Sequence, residues 1–295
     1  MPRRVAVLVN PQAGRGRAAR AVGPVVDALR AGRLEVEVLS GRSADEAEAL
    51  ASRAVGGGLD TLVALGGDGL VHVAHRAVAG TDVRLGIVPC GTGNDAARAL
   101  GLPLRDPAAA AGVVLTGRTR VVDLGRVGGR TFLAVLSSGF DSRVNERANR
   151  MRWVRGPSRY QVAMVAELGV FRPVPYRIVL DDEPLEVEAM LVAVGNGPSY
   201  GGGMRVCPGA SLDDGLLEVT VVLPLAVGPF LRLFPSVYRG EHVRSAAVLT
   251  RQVRRVSLAA EGMTAYADGE PVGPLPVTVD VVPAALSVLV PAGSA

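Results

Sequence analysis

Three short β-branched runs in the first third of the chain, residues 5–9, 61–65 and 85–88, each end in a glycine-punctuated loop and lead into an alanine-rich helical stretch. A fourth run, 34–39, lies between two such stretches. Strands that alternate with helices are joined by crossovers, not hairpins, and this predicts a parallel sheet covered on both faces. The start of the second helix is written in Ser43-Ala44-Asp45-Glu46, a capping box in which the Ser hydroxyl and the Glu carboxylate satisfy opposing backbone amides. After about Gly125 the texture changes to paired runs at 176–180 and 185–194 around Asp181-Asp182, then 216–223, 253–260 and 276–290. This half is expected to be β-rich and largely antiparallel. Between the halves, residues 141–171 form a helical, strongly basic insert. At 295 residues the chain exceeds the size at which a single core stops growing, so two domains are expected.

Hydrophobic residues make up 48% of the chain and the mean hydropathy is +0.30, yet no window has the eighteen or so uninterrupted apolar residues of a membrane span. The most apolar stretch, 216–234, is interrupted by Glu218, Pro224, Pro229 and Arg232 and reads as strands and loops. Met1-Pro2-Arg3-Arg4 passes directly into the first strand, too short a run for a signal peptide, so a cytosolic protein is expected. Cys90, Cys207, His72, His75 and His242 lie at none of the spacings used by disulfide frameworks or transition-metal sites. All 32 basic residues are arginines, in a formal balance of +4. Without lysine there is no P-loop, no protein-kinase strand lysine and no Schiff-base nucleophile. Phosphate chemistry would have to rest on backbone amides, carboxylate-held metal and arginine.

The loops carry residues suited to that task. Leu65-Gly66-Gly67-Asp68-Gly69 leaves a buried strand and enters a helix near Leu70. Its glycines admit phosphate oxygens to backbone N–H groups, and Asp68 is placed to hold magnesium or its waters or, in the plainer reading, to cap a tight turn. Pro89-Cys90-Gly91-Thr92-Gly93-Asn94-Asp95 follows the next strand, where Asn94-Asp95 also suits simple N-capping. Both loops would lie at the carboxyl ends of neighbouring strands, where open parallel sheets bind ligands. Asn10-Pro11-Gln12-Ala13-Gly14-Arg15-Gly16 is a third such loop. Its Gly14-x-Gly16-x-x-Ala19 fits the dinucleotide fingerprint formally, but four residues stand between the strand and the first glycine, against that reading. Asp123, Asp213-Asp214-Gly215 and Asp268-Gly269-Glu270 are the remaining carboxylate candidates, the Asp-Gly pairs being turn signals as well.

Taken in order, these motifs resemble the diacylglycerol kinase catalytic domain family, nearest to its actinobacterial members. The match runs almost end to end and includes Val122-Asp123-Leu124-Gly125, Gly139-Phe140-Asp141-Ser142, Tyr200-Gly201-Gly202-Gly203, Asp214-Gly215-Leu216-Leu217 and Tyr266-Ala267-Asp268-Gly269-Glu270. Leu70 and His72 stand where the family often has Thr and Asn. The resemblance implies an N-terminal doubly wound α/β nucleotide domain, similar to that of NAD kinases, over residues 1–124 and 280–295. It implies a C-terminal antiparallel β-sandwich over 125–279, with ATP in the cleft. It implies that Glu270 is the general base, that Asp68, Asp95 and Asp123 organise catalytic magnesium, and that Asn10, Pro11, Ser40, Gly66, Gly67, Asp68, Gly69, Thr92 and Asn94 line ATP. Asp214, with backbone oxygens of Ser211 and Leu216, would hold a structural magnesium. The implied activity is Mg2+-dependent transfer of the ATP γ-phosphate to diacylglycerol. The alternatives are a kinase for a sphingoid base, ceramide or glycolipid, or a non-catalytic protein that binds nucleotide and lipid.

In the basic insert Arg147, Arg150, Arg152, Arg155 and Arg159 crowd around Met151, Trp153, Val154 and Tyr160. Arginines beside aromatic rings suit an anionic membrane interface; a solvated helix face paired with Glu146 and Glu167 is the other reading. No stacking platform or nucleic-acid-binding motif accompanies the charge, so no nucleic acid is expected. The expected partners are a diacylglycerol-like lipid and the inner face of an anionic membrane, with a homodimer as the candidate assembly.

Overall fold

The computed structural model describes residues 3–150, 166–167 and 170–293. They divide into two compact units, the first running through Leu124 and including Gly201–Gly203 and the stretch from Val282, the second comprising Gly125–Tyr200 and Met204–Val281.

The first unit begins with β1 (Arg4–Val9), α1 (Ala13–Ala31), β2 (Glu35–Ser40), α2 (Ala44–Gly56), β3 (Thr61–Gly66), α3 (Asp68–Val78) and β4 (Arg84–Pro89), followed by α4 (Asp95–Ala99) and α5 (Pro107–Thr116). The strands pair in parallel in the order β2-β1-β3-β4. The apolar runs of β1 and β3 are buried almost throughout, as central parallel strands require, whereas only Leu39 is buried on the edge strand β2. Right-handed crossovers send α1 to one face and α2 and α3 to the other. Accordingly α2 packs on α3, and α5 joins α1. Ser43 caps α2, its Oγ accepting Glu46 N–H at 3.2 Å. The Glu46 carboxylate accepts Arg42 N–H at 2.8 Å, so the box closes one residue earlier than the usual form.

β5 (Arg118–Val127) leads into the second unit. There follow β6 (Arg130–Phe132), β7 (Val135–Gly139), α6 (Phe140–Arg150), β8 (Val174–Leu180), β9 (Glu183–Ala189), β10 (Leu191–Gly195), β11 (Leu217–Val222), α7 (Val227–Val237), β12 (Val248–Val253), β13 (Arg255–Ala259), β14 (Thr264–Ala267) and β15 (Glu270–Pro274). One sheet of this unit runs β12-β11-β10-β7-β14-β15, with every pair antiparallel. In the other, β8 pairs with β9 and β13, and β13 with the start of β16 (Val277–Val290). Leu136, Ile178, Leu217, Leu258 and the rings of Phe132 and Tyr176 fill the core of this sandwich. β16 ends in the first unit, where Val288 pairs in parallel with Leu85 of β4.

Two sequence expectations are corrected. The run 185–194, read as one strand, is two strands in different sheets, broken at Met190, whose N–H donates to Val222 O at 2.7 Å. A chain that switches sheets at a corner keeps both halves apolar, so hydropathy alone gives no sign of the break. The stretch 216–234, read as strands and loops, contains β11 and most of α7. Pro229 was taken for a breaker, but it is the third residue of α7, in the turn whose N–H groups have no intrahelical acceptor. Of the basic insert, residues 151–165 lie outside the described residues, as does the Arg150 side chain; Arg147 Nε donates to Glu167 Oε2 at 2.6 Å. No helix among the described residues is long and apolar enough to cross a membrane.

Candidate functional site

With strand order β2-β1-β3-β4, the chain leaves β1 toward one face and β3 toward the other, so their loops part at the point where open α/β sheets receive ligands. In the loop after β1, Asn10 Oδ1 accepts Gln12 N–H at 3.1 Å. Gly14, Arg15 and Gly16 are all left-handed, with φ of 60°, 58° and 82°. Regular helix therefore begins only after Gly16, which removes the tight strand-to-helix turn of a dinucleotide fingerprint. A Cβ on Gly14 would fall 1.8 Å from the Cys90 carbonyl oxygen, so only glycine lets this loop rest on the one after β4. Arg17 ties the same loops together, donating to Gly14 O and Gly91 O.

Asp68 joins the loops after β3 and β4. Its Oδ2 accepts Asn94 N–H at 2.7 Å, and its Oδ1 accepts the N–H groups of Asp95 and Ala96 at 2.7 and 3.4 Å. The first turn of α4 is thus capped by a carboxylate 26 residues upstream, not by its own Asn94 as the plainer reading expected. Asn94 is itself left-handed and exchanges hydrogen bonds with Gly91, accepting at 2.9 Å and donating at 3.1 Å. Asp95 accepts Gly202 N–H at 2.8 Å and Gly203 N–H at 2.7 Å, drawing in a fourth glycine loop. Burial and the neighbouring Asp95 push the Asp68 carboxyl above its ordinary range, against the pull of its three backbone donors.

Among the other nucleotide candidates, Asn10, Pro11, Ser40, Thr92 and Gly69 are exposed, and a Cβ on Gly69 would meet nothing within 4 Å. Open space at the start of α3, beside a rigid set of loops, suits a polyphosphate. Asp123 is buried on β5, its Oδ1 accepting Ala284 N–H at 2.8 Å, where β16 kinks through a left-handed alanine at φ 52°. In the second unit Asp214 is exposed on a turn, Oδ1 accepting Leu216 N–H at 3.0 Å, while Ser211 Oγ donates to Asp213 at 3.0 Å. A carboxylate and main-chain oxygens on an open turn fit a hard cation that keeps its waters.

Glu270 is exposed and opens β15 directly after Asp268-Gly269, whose φ of 49° and 84° are those of a two-residue hairpin turn. The turn reading of this Asp-Gly pair is therefore right, but Asp268 does more. Its carboxylate accepts the N–H groups of Leu133, Ala134 and Val135 at 2.8, 2.9 and 3.2 Å, fixing the hairpin that presents Glu270. Sequence reasoning gave Asp268 only a turn and candidate-carboxylate reading, and assigned no role to Arg17, Gly202 or Gly203. Their signal was membership in glycine-rich motifs, which does not disclose long-range partners.

The second unit also holds an apolar pocket with an open mouth, walled by Phe140, Met204, Val222, Phe230, Leu233 and Phe234. Asp141, Tyr200 and His242 bring polar groups to its lining. Asp141 is buried and accepts Ser137 Oγ–H at 2.8 Å, and His242 Nε2 meets Val206 O at 3.1 Å, so that nitrogen carries the proton. Burial lowers the His242 pKa from its ordinary 6.5. A proton on this ring therefore favours the unfolded chain: stability is full above about pH 6.5 and is lost as pH falls below it, by at most about 1.4 kcal/mol per unit. Thermal melts through this range should show the decline, and His242→Gln should flatten it.

Glycine loops gathered at the carboxyl ends of a parallel sheet, together with a β-sandwich unit, define a two-unit enzyme of the phosphotransferase kind. Residues 4–127 match the diacylglycerol kinase catalytic domain, and residues 134–290 the YegS C-terminal NAD kinase beta sandwich-like domain. The chain is 43% identical over 294 residues to a diacylglycerol kinase of Mycobacterium tuberculosis, covering 98% of this chain and 95% of that one. It is 29% identical to a diacylglycerol kinase of Bacillus subtilis, covering 93% and 92%. A crystal structure of a diacylglycerol kinase from Bacillus anthracis superposes with a TM-score of 0.76 at 22% identity, covering 97% and 96%, and shares its fold. The chain belongs to the diacylglycerol kinase family of lipid kinases.

Proposed function

We propose that the chain transfers the γ-phosphate of ATP to the free hydroxyl of diacylglycerol, giving phosphatidate, as a cytoplasmic enzyme attached peripherally to the inner face of the membrane. The observation that carries the lipid part is this open pocket, lined by apolar side chains apart from Asp141, Tyr200 and His242, which suits an acyl chain with its polar end held at the mouth. ATP is bound by Asn10, Pro11, Ser40, Gly66, Gly67, Asp68, Gly69, Thr92 and Asn94. Asp68, Asp95 and Asp123 would organise catalytic magnesium, and Ser211, Asp214 and Leu216 would hold a structural one. The chemistry such an ion would supply is neutralisation of phosphate charge. Asp68 and Asp95 contribute first by holding the loops rigid, since their oxygens accept backbone N–H groups. Glu270 takes the proton from the lipid hydroxyl as it attacks.

The test is transfer of radiolabel from ATP to lipids in mixed micelles, with and without magnesium, over diacylglycerol, sphingoid base, ceramide and glycolipid. Label in phosphatidate is expected. Label in another lipid would reassign the substrate, and no label in any lipid would overturn the reading. Filling the cavity with Leu233→Trp should reduce turnover of long-chain diacylglycerol by about tenfold while sparing short-chain substrate, because one or two methylene positions in a pocket are worth about 1–3 kcal/mol.

A further inference from the structure

We propose that the outer face of α7 is the membrane-contacting surface of this protein, seated on an anionic bilayer so that a lipid chain passes along the helix into the cavity. The inference rests on the lipid-kinase reading for the chain that passes, but not for the docking.

The helix has no buried residue. Phe230, Leu233, Phe234 and Val237 line the cavity. On the outer side Val227 and Leu231 are 48% and 53% exposed, and Tyr238, just past the helix, is 51% exposed. Residues 227, 231 and 238 fall on one helical stripe. The apolar arc of α7 is wider than the cavity wall alone occupies, and its outer edge at Val227, Leu231 and Tyr238 is left at the surface, where a lipid phase would cover it. The apolar path is continuous: ring centroids step from Phe140 to Phe230 at 5.3 Å, to Phe234 at 6.1 Å and to Tyr238 at 6.2 Å.

Charge selects the occupant. Arg232 and Arg239 are exposed on or beside this stripe, and Arg205, also exposed, donates its N–H to Val237 O at 3.0 Å. The sequence has no acidic residue between Glu218 and Glu241. Glu218 is buried, and Glu241 pairs with Arg239 at 2.7 Å. A two-fold pairing of this face with its copy would bring arginines against arginines with little acid to meet them. An anionic bilayer meets all three demands, taking the apolar stripe, the arginines and a boundary tyrosine.

The test compares the wild type with Val227→Ser/Leu231→Ser and, separately, Arg232→Glu, on vesicles of phosphatidylcholine with phosphatidylglycerol and of phosphatidylcholine alone. None of these side chains lines the cavity. Both variants should bind the anionic vesicles at least about tenfold more weakly in co-sedimentation. Turnover of long-chain diacylglycerol in those vesicles should fall in parallel, and that of dissolved short-chain diacylglycerol should stay unchanged. Unaltered vesicle binding would overturn the proposal. So would a wild-type dimer that the variants convert to monomer in light scattering, which would assign the face to a second copy. If the wild type phosphorylates no lipid yet the variants lose vesicle binding, the docking surface stands and the lipid-kinase reading falls.

Discussion

Asp68→Asn is expected to destabilise the protein by about 2–3 kcal/mol and to abolish nucleotide binding, although the substitution is isosteric. Both oxygens of Asp68 receive backbone donors, Asn94 on one side and Asp95 with Ala96 on the other. An amide has one oxygen to offer, so its NH2 group would face an N–H and leave at least one partly buried donor unmet. Hydrogen bonds to a charged acceptor contribute more than neutral ones, and an orphaned donor costs its full desolvation. Chemical denaturation measures the first effect and nucleotide titration the second. If Asp68 served only to hold metal, Asp68→Asn would lose activity with its denaturation midpoint unmoved, and that outcome would refute the clamp.

Glu270→Gln should show the opposite pattern. Its side chain is exposed and β15 is held through Asp268, so stability should change by less than about 0.5 kcal/mol. As the proposed general base it should lose about 10²–10⁴ of kcat, with KM for ATP nearly constant. An unchanged kcat would remove Glu270 from the mechanism. Together the two variants separate a carboxylate that builds the site from one that works in it.

The parallel strands and their loops were legible because burial on both faces forces unbroken β-branched runs, and because glycine marks places where loops touch. Gly14 against the Cys90 carbonyl is such a place. The bonds that join one loop to another were not legible. Asp68 and its three donors lie far apart in sequence, and nothing local distinguishes a carboxylate that caps a distant helix from one that caps its own. α7 was missed for a different reason: Pro229 sits in the first turn, where a helix tolerates it, and Pro235 interrupts the helix only in its last turn, but a rule that counts prolines as breakers reads loop. With the helix went Phe230 and Phe234, whose i, i+4 spacing is the one local sign of the cavity wall.

The final strand has a consequence for biosynthesis. β4 meets β16 through Leu85 and Val288, so the first unit is finished by residues made after nearly the whole second unit. Until they leave the ribosome, one flank of β4 offers unsatisfied N–H and C=O groups to any passing strand. Contacts this distant in sequence form slowly, so the newborn chain should be most prone to mispairing and most dependent on chaperones just before its last segment emerges.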